Sequence, residues 1–188
     1  DLAAAFGPVS GIKGQVQFTD LLALESAPGQ IATVAEINPG VAVTDGVIEY
    51  QLLRDLKVAV KGGRWPFGGG TLTLQPTLLD FSSPQDRNLT FRADGVQLRQ
   101  FLQQLDLKNI DATGVFDGEL PMIFDQSGGR IENGRLVVRE GGGTLAYLGE
   151  LTEEDLGTWG NIAFQALRSL RYRNLELVMN GPLAGDMV

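Results

Sequence analysis

The stretch LKVAVKGGRWPFGGGTLTLQ, residues 56–75, decides the fold class. At its start Val58 and Val60 alternate with Lys57 and Lys61, and at its end leucines alternate with threonines. Such alternation is typical of a β-strand with one buried face, because successive side chains point to opposite sides of a sheet. The stretch therefore predicts two neighbouring strands, each with an apolar and a polar face.

The segment between these runs, residues 62–70, is rich in glycine and holds Trp65 and Phe67. It lacks the residue order of the glycine loops that bind phosphate, so a phosphate site is not favoured. We expect a sharp connection between strands, with both rings packed against the edge of the sheet. The alternative is that Trp65 and Phe67 are exposed and contact lipid or another chain.

Similar alternation recurs along the chain, as at Leu89, Phe91 and Ala93. About ten strands are predicted in this way. Besides those at 56–61, 71–75 and 88–93, they are residues 14–18, 31–37, 47–52, 114–124, 130–139, 144–148 and 172–179. Turns are predicted at Asp45-Gly46, Asp117-Gly118, Asn133-Gly134 and Asn180-Gly181, and Asp94-Gly95 is expected to lead into a helix, because Asp, Asn and Gly tolerate positive φ.

Two helices are predicted among the strands. In the first, Leu98, Phe101, Leu102 and Leu105 follow the spacing of one helix face. The second is expected to begin near Thr152 and to be regular over residues 161–170. The predicted fold is mainly β: a single domain over residues 1–188, with an antiparallel, strongly twisted sheet or open groove and two short flanking helices.

Composition excludes several classes of function. The net charge is −8, without a basic cluster that suits nucleic acid. The chain has no histidine and no cysteine, which removes the commonest general base and the commonest metal ligands. We expect no cofactor and no metal site, since Asp45, Asp117 and Asp125 do not follow the spacing of a calcium loop.

Two clusters of charged residues suggest other functions. Asp111, Asp117 and Glu119 are close enough in sequence for a carboxylate pair of the glycosidase type, but turn and surface roles explain them better. A carbohydrate-active enzyme is therefore the least favoured alternative. Arg168, Arg171 and Arg173 suit either lipid headgroups or the negative end of a helix, and the helical explanation is preferred.

The apolar faces of the strands leave two architectures open. Two faces that bury each other would make a closed β-sandwich, a structural or protein-interaction module. One curved sheet that does not close would instead offer a groove to acyl chains. Periodicity does not choose between them.

Several stretches, taken in order over nearly the whole chain, resemble the C-terminal part of the YdbH-like proteins of proteobacteria, relatives of the AsmA-like and TamB-like envelope proteins. They are FTDLL (18–22), APGQ (27–30), INPG (37–40), WPF (65–67), LDF (79–81), GELP (118–121) and ALRSL (166–170). None is a catalytic motif.

The resemblance implies a long periplasmic protein anchored in the inner membrane of a Gram-negative bacterium, with a β-rich groove that moves phospholipid to the outer membrane. The chain would then be a C-terminal fragment without the anchor and most of the groove. The family's older label, dicarboxylate transport, gains no support from the distribution of basic residues. A small outer-membrane lipoprotein is implied as a partner by strand addition, with 172–179 as the exposed edge.

From these implications we expect a non-catalytic segment of a lipid bridge. The residues expected to line its groove are Val58, Val60, Leu72, Leu74, Leu89 and Phe91. Those expected to contact a partner or lipid are Trp65, Phe67, Tyr172, Leu175 and Leu177.

Overall fold

The computed structural model describes residues 2–4, 7–37, 43–104, 109–125, 128–148 and 170–183. The first half of this part contains β1 (Leu2–Ala4), β2 (Gly7–Gly14), β3 (Phe18–Asp20), β4 (Glu25–Ser26), β5 (Gln30–Ile37), β6 (Val43–Leu53), β7 (Lys57–Phe67), β8 (Gly70–Leu74) and β9 (Thr77–Asp80). The second half contains β10 (Arg87–Gln97), α1 (Leu98–Gln104), β11 (Ile110–Ala112), β12 (Val115–Asp125), β13 (Gly128–Val138), β14 (Gly143–Tyr147), β15 (Leu170–Tyr172) and β16 (Glu176–Pro182).

Eleven strands form one antiparallel sheet, in the order β1-β2-β5-β6-β7-β8-β10-β12-β13-β16, with β9 paired to β7 beside β8. Most strands pair with the next or nearly the next strand along the chain. Two small sheets, β3-β4 and β11-β14-β15, accompany the large one. The predicted mainly β, antiparallel fold is confirmed, and among the described strands the sheet is open, with β1 and β16 at its ends.

Alternation along the long strands places the core on one face of the large sheet. Strand β10, for example, buries Leu89, Phe91, Ala93 and Val96. Buried side chains from β6 to β13 pack into one continuous cluster, which helix α1 joins through Leu98. The sheet must curve, because side chains of β2 and β12, far apart in strand order, line the same groove.

The predicted turns at Asp-Gly and Asn-Gly pairs were wrong, because these pairs lie inside strands. Asp45 in β6 and Asn133 in β13 do have positive φ, at 60° and 56°. In β10, Gly95 has φ 68° where the register with β12 shifts between Ala93 and Val96. The register also shifts around Asn133, so Gly95 and Asn133 lie at β-bulges, which let a strand bend and continue. Strand β6 keeps its register with β5 on both sides of Asp45.

The remaining pairs also lie within strands. Asp117-Gly118 lies within β12, where Gly118 closely approaches the Arg135 carbonyl, and Asn180-Gly181 lies within β16. At Gly118 the glycine is needed for close packing of neighbouring backbones, since an added Cβ would come 1.8 Å from that carbonyl oxygen. Neither pair ends a strand.

The glycine-rich stretch 62–70 is not a loop. Strand β7 continues to Phe67, and only Gly68 and Gly69, at φ 51° and 76°, make the turn into β8. Trp65 is 1% exposed and Phe67 is also buried. The exposed-ring alternative is therefore wrong, because both side chains lie on the inner face of a continuous strand.

Some predicted boundaries were also wrong. The strand at 14–18 is instead the end of β2 and the start of β3, and 172–179 is divided between β15 and β16 by a bend. The short strands β1, β4, β9 and β11 were not predicted.

Helix α1 is confirmed, with Leu98 buried and Phe101 and Leu102 packed against the core, while Leu105 lies outside the described residues. The second predicted helix also lies outside them, except that Leu170 and Arg171 are in strand β15 and not in a helix. Arg168 too lies outside the described residues, and Arg173 lies in the bend after β15. Within the described ranges, no helix is long and apolar enough to cross a membrane.

Candidate binding groove

An apolar groove of about 290 Å³ lies on the inner face of the sheet. It is lined by strands from β2 to β12, and the side chain of Tyr50 supplies the one hydroxyl group in a lining that is otherwise aliphatic and aromatic. The groove forms because inward side chains of curved neighbouring strands converge from both sides. Cross-strand pairs such as Val58 with Leu79, and Phe91 with Leu74, form parts of its wall.

Five of the six residues expected to line a groove do so: Val58, Val60, Leu74, Leu89 and Phe91. The sixth, Leu72, is 1% exposed and belongs to the core beside the groove. Its register partners Trp65 and Ala93 lie on neighbouring strands and are themselves buried. That the five residues contact lipid stays a prediction.

Much of the lining was not singled out from the sequence. The additional lining residues are Ile12, Ala32, Val34, Ile37, Ile48, Tyr50, Leu79, Phe81 and Phe124. Alternation could have indicated four of them, since Ala32 and Val34 alternate within one predicted strand and Ile48 and Tyr50 within another. Their common face could not be assigned, because it depends on how far the sheet curves.

Trp65 is positioned on the inner face by two glycines. The indole lies against Gly46 on β6 and Gly63 on β7, where any Cβ would collide with it. Its ring centroid is 5.8 Å from that of Phe91, a favourable aromatic contact. Among the described residues the buried indole N–H has no hydrogen-bond acceptor.

Phe67 lies elsewhere on the inner face. Its ring packs edge-on against Phe101 of helix α1, with 5.6 Å between centroids. It does not line the groove. Trp65 and Phe67 therefore differ in position, although both were expected to contact a partner or lipid.

The other expected contact residues lie near the C-terminal end of the described chain. The Tyr172 hydroxyl donates a hydrogen bond to the Thr113 carbonyl, and partial burial raises the pKa of this phenol. Leu175 and Leu177 are half-buried and pack against the core. The side chains of all three thus pack against the core while staying partly exposed, and their contact with a partner or lipid stays a prediction.

Strand β16 is at one end of the sheet and, among the described strands, pairs only with β13. The Val138 N–H donates to the Leu175 carbonyl, so alternate residues of β16 direct their backbone groups toward β13. By this alternation Leu177 faces β13, whereas Glu176 and Val178 direct their N–H and C=O groups outward. An edge of this kind can pair with a further strand.

The acidic residues considered for catalysis are held by arginines. Asp111 in β11 accepts hydrogen bonds from Arg99 at 3.0 and 3.2 Å. Asp117 in β12 accepts from Arg139 at 2.6 and 2.7 Å, and its pKa is lowered by that bond and by the Gly95 N–H.

Glu119 is exposed on the same face of β12 as Asp117, opposite the buried Phe116 and Leu120. That face is away from the groove. Asp111 belongs to a different sheet from the other two carboxylates. The three carboxylates thus lie outside the groove, and two of them are engaged in ion pairs.

A model of the YdbH-like family, described as intermembrane phospholipid transport protein YdbH, matches residues 1–188. No curated protein and no solved structure matches the chain. The family match covers every strand of the sheet and the whole lining of the groove.

Proposed function

Because the chain belongs to the YdbH-like family of intermembrane phospholipid transport proteins, we propose that its groove holds phospholipid acyl chains as one segment of a lipid path between two membranes. The observation that carries this proposal is the continuous apolar lining from β2 to β12. We place the segment in the periplasm, in a protein anchored to the inner membrane. The proposed role is non-catalytic.

The transfer of acyl-chain methylene groups from water to the groove explains how it would bind lipid. Each methylene that leaves water contributes about 0.8 kcal/mol, so much of an acyl chain must enter the groove before its burial outweighs the cost of association. The interaction has no directional requirement, because aliphatic and aromatic side chains offer similar contacts at every position. An acyl chain can therefore slide along the lining while its headgroup stays in water.

The edge strand β16 supports a second part of the proposal, the pairing with a small outer-membrane lipoprotein. The outward backbone groups of Glu176 and Val178 would bind one strand of that partner. Strand addition would extend the sheet, and with it the apolar face, toward the outer membrane. The lining and the partner strand would then form one surface.

Photocrosslinking in Gram-negative cells tests the groove. A photoreactive residue at Phe91 faces the lining, and one at Arg92, the next residue of β10, faces the opposite side of the sheet. We expect phospholipid, identified by mass spectrometry, on the first variant and not on the second. Equal lipid labelling at both positions, or crosslinks from Phe91 only to protein, would reject the proposal.

A further inference from the structure

We infer that Arg87 binds the phosphate of a phospholipid whose acyl chain lies in the groove, an inference that rests on the proposed function. Arg87 is the first residue of β10, and the lining residues Leu89 and Phe91 follow it at alternate positions. Side chains two residues apart on a strand share a face. Arg87 thus places a cation on the inner face, just beyond the apolar lining.

Arg87 lies beside two aromatic residues of the lining. Its guanidinium carbon lies 4.5 Å from the ring centroid of Phe81, a cation–π geometry. Phe81 is 39% exposed, and its N–H donates to the Leu56 carbonyl at 3.0 Å. Across the sheet Arg87 is in register with Phe124, which also lines the groove.

The guanidinium of Arg87 has unused hydrogen-bonding capacity. No carboxylate of the described residues lies within 4.0 Å of it, whereas Arg54, Arg99, Arg130, Arg135 and Arg139 all form such pairs. Its buried Nε makes no hydrogen bond within the described part of the chain. The neighbouring carboxylate of Asp80 accepts the Ser82 N–H and hydroxyl at Oδ1, at 2.8 and 2.5 Å, and its pKa is lowered mainly by these bonds and least by the charge of Arg87.

An unpaired guanidinium beside an apolar wall matches the headgroup end of a phospholipid. A planar guanidinium can give two parallel hydrogen bonds to a phosphate, and the phosphate carries the opposite charge. The apolar wall begins at Leu89 and Phe81, so a lipid held there would place its tail in the groove and its phosphate beside Arg87. A neutral diacylglycerol has no phosphate and would contact only the apolar wall.

Native mass spectrometry with matched lipids tests the inference. The purified protein is incubated with vesicles that contain either dioleoyl phosphatidylglycerol or dioleoylglycerol, and the lipid-bound fraction is measured. For Arg87→Gln we expect binding of the phospholipid to weaken about fivefold, and binding of the diacylglycerol to be unchanged. Arg87→Lys should lose less affinity for the phospholipid than Arg87→Gln, because lysine keeps the positive charge.

The control is Arg92→Gln, which makes the same charge change on the same strand but on the opposite face. If Arg87→Gln and Arg92→Gln bind phospholipid equally well, the inference is overturned while the groove proposal stands. If the wild-type protein binds neither lipid, the proposed function itself fails. Inorganic phosphate that binds as tightly as the phospholipid would also overturn the inference, since the tail would then contribute nothing.

Discussion

The indole of Trp65 lies directly over Gly46 of the neighbouring strand. A Cβ atom on Gly46 would be 1.8 Å from the indole Nε1, and one on Gly63 would be 2.6 Å from the six-membered ring. Both distances are far below van der Waals contact, so these two positions must lack a side chain for the ring to lie flat. Part of the groove lining therefore depends on glycines that belong to two different strands.

Replacing Gly46 with alanine should displace the indole and lower the free energy of unfolding by about 3 kcal/mol, as expected for an overpacked core. The matched control is Gly62→Ala, where the new Cβ would meet the Leu74 carbonyl at an ordinary 3.5 Å. Urea denaturation measures both effects. Equal stabilities of the two variants would contradict the close contact between Gly46 and Trp65.

Leu72 and Val58 should separate core stability from groove function. Leu72 is fully buried, so Leu72→Ala should cost about 2–5 kcal/mol while lipid binding by the folded fraction persists. Val58 is half-buried in the lining, so Val58→Ala should cost about 1 kcal/mol or less and weaken lipid binding. Denaturation and lipid-binding titrations together check the pair, and the reverse pattern would reject the assignment of Leu72 to the core.

The Asp117 carboxylate should make stability depend on pH. Its folded-state pKa is lowered by the bond from Arg139 and by the Gly95 N–H. Its stabilisation is therefore complete above about pH 4, the usual range for an aspartate, and is lost as pH falls through the lower folded-state value. Asp117→Asn should destabilise the protein by about 1 kcal/mol at neutral pH, since the pair is partly exposed.

Denaturation midpoints of the wild-type protein and Asp117→Asn, compared between pH 7 and pH 2, check this expectation. The difference between them should shrink at the acid end. A difference that stays constant would show that the carboxylate does not titrate differently in the folded and unfolded states.

Proline should distinguish the two sides of β16. Val178 directs its N–H away from β13, so Val178→Pro should keep the fold and block pairing with a partner strand. Leu177 directs its N–H toward β13, so Leu177→Pro should lose a ladder hydrogen bond and unfold at lower denaturant concentration. Photocrosslinks from position 176 to a small lipoprotein measure the pairing, and persistent crosslinks in Val178→Pro would contradict strand addition at this edge.

The strands were predictable wherever one face is buried, because alternation is a local property of the sequence. The irregular positions inside strands were not, since the positive φ of Asp45 and Asn133 is compatible both with a turn and with a strand that continues. Only pairing with a distant strand decides which forms. The position of Trp65 on the inner face of a continuous strand was missed for a similar reason, because Gly46 makes room for the ring from another strand.

For the groove, the sequence indicated five of its lining residues but not its extent. Arg87 has the same alternation as Leu89 and Phe91, yet a basic residue at the start of a strand suggests a solvent-exposed end. Its relation to Phe81 depends on the path of the chain between β9 and β10. Sheet curvature and loop paths depend on residues far apart in the chain, so the alternation of apolar and polar residues along one strand does not predict them.

Strand order also has a consequence for how the chain folds as it is synthesised. A polypeptide that emerges from the ribosome presents its strands one after another, and here most strands find their neighbour shortly before or after them in the chain. Such pairings close short loops and form quickly, so few unpaired strand edges remain exposed while synthesis continues. Strand β16 is the exception, because residues 139–175 separate it from β13. We therefore expect β13 to be the edge that is longest open to misassociation as the chain emerges.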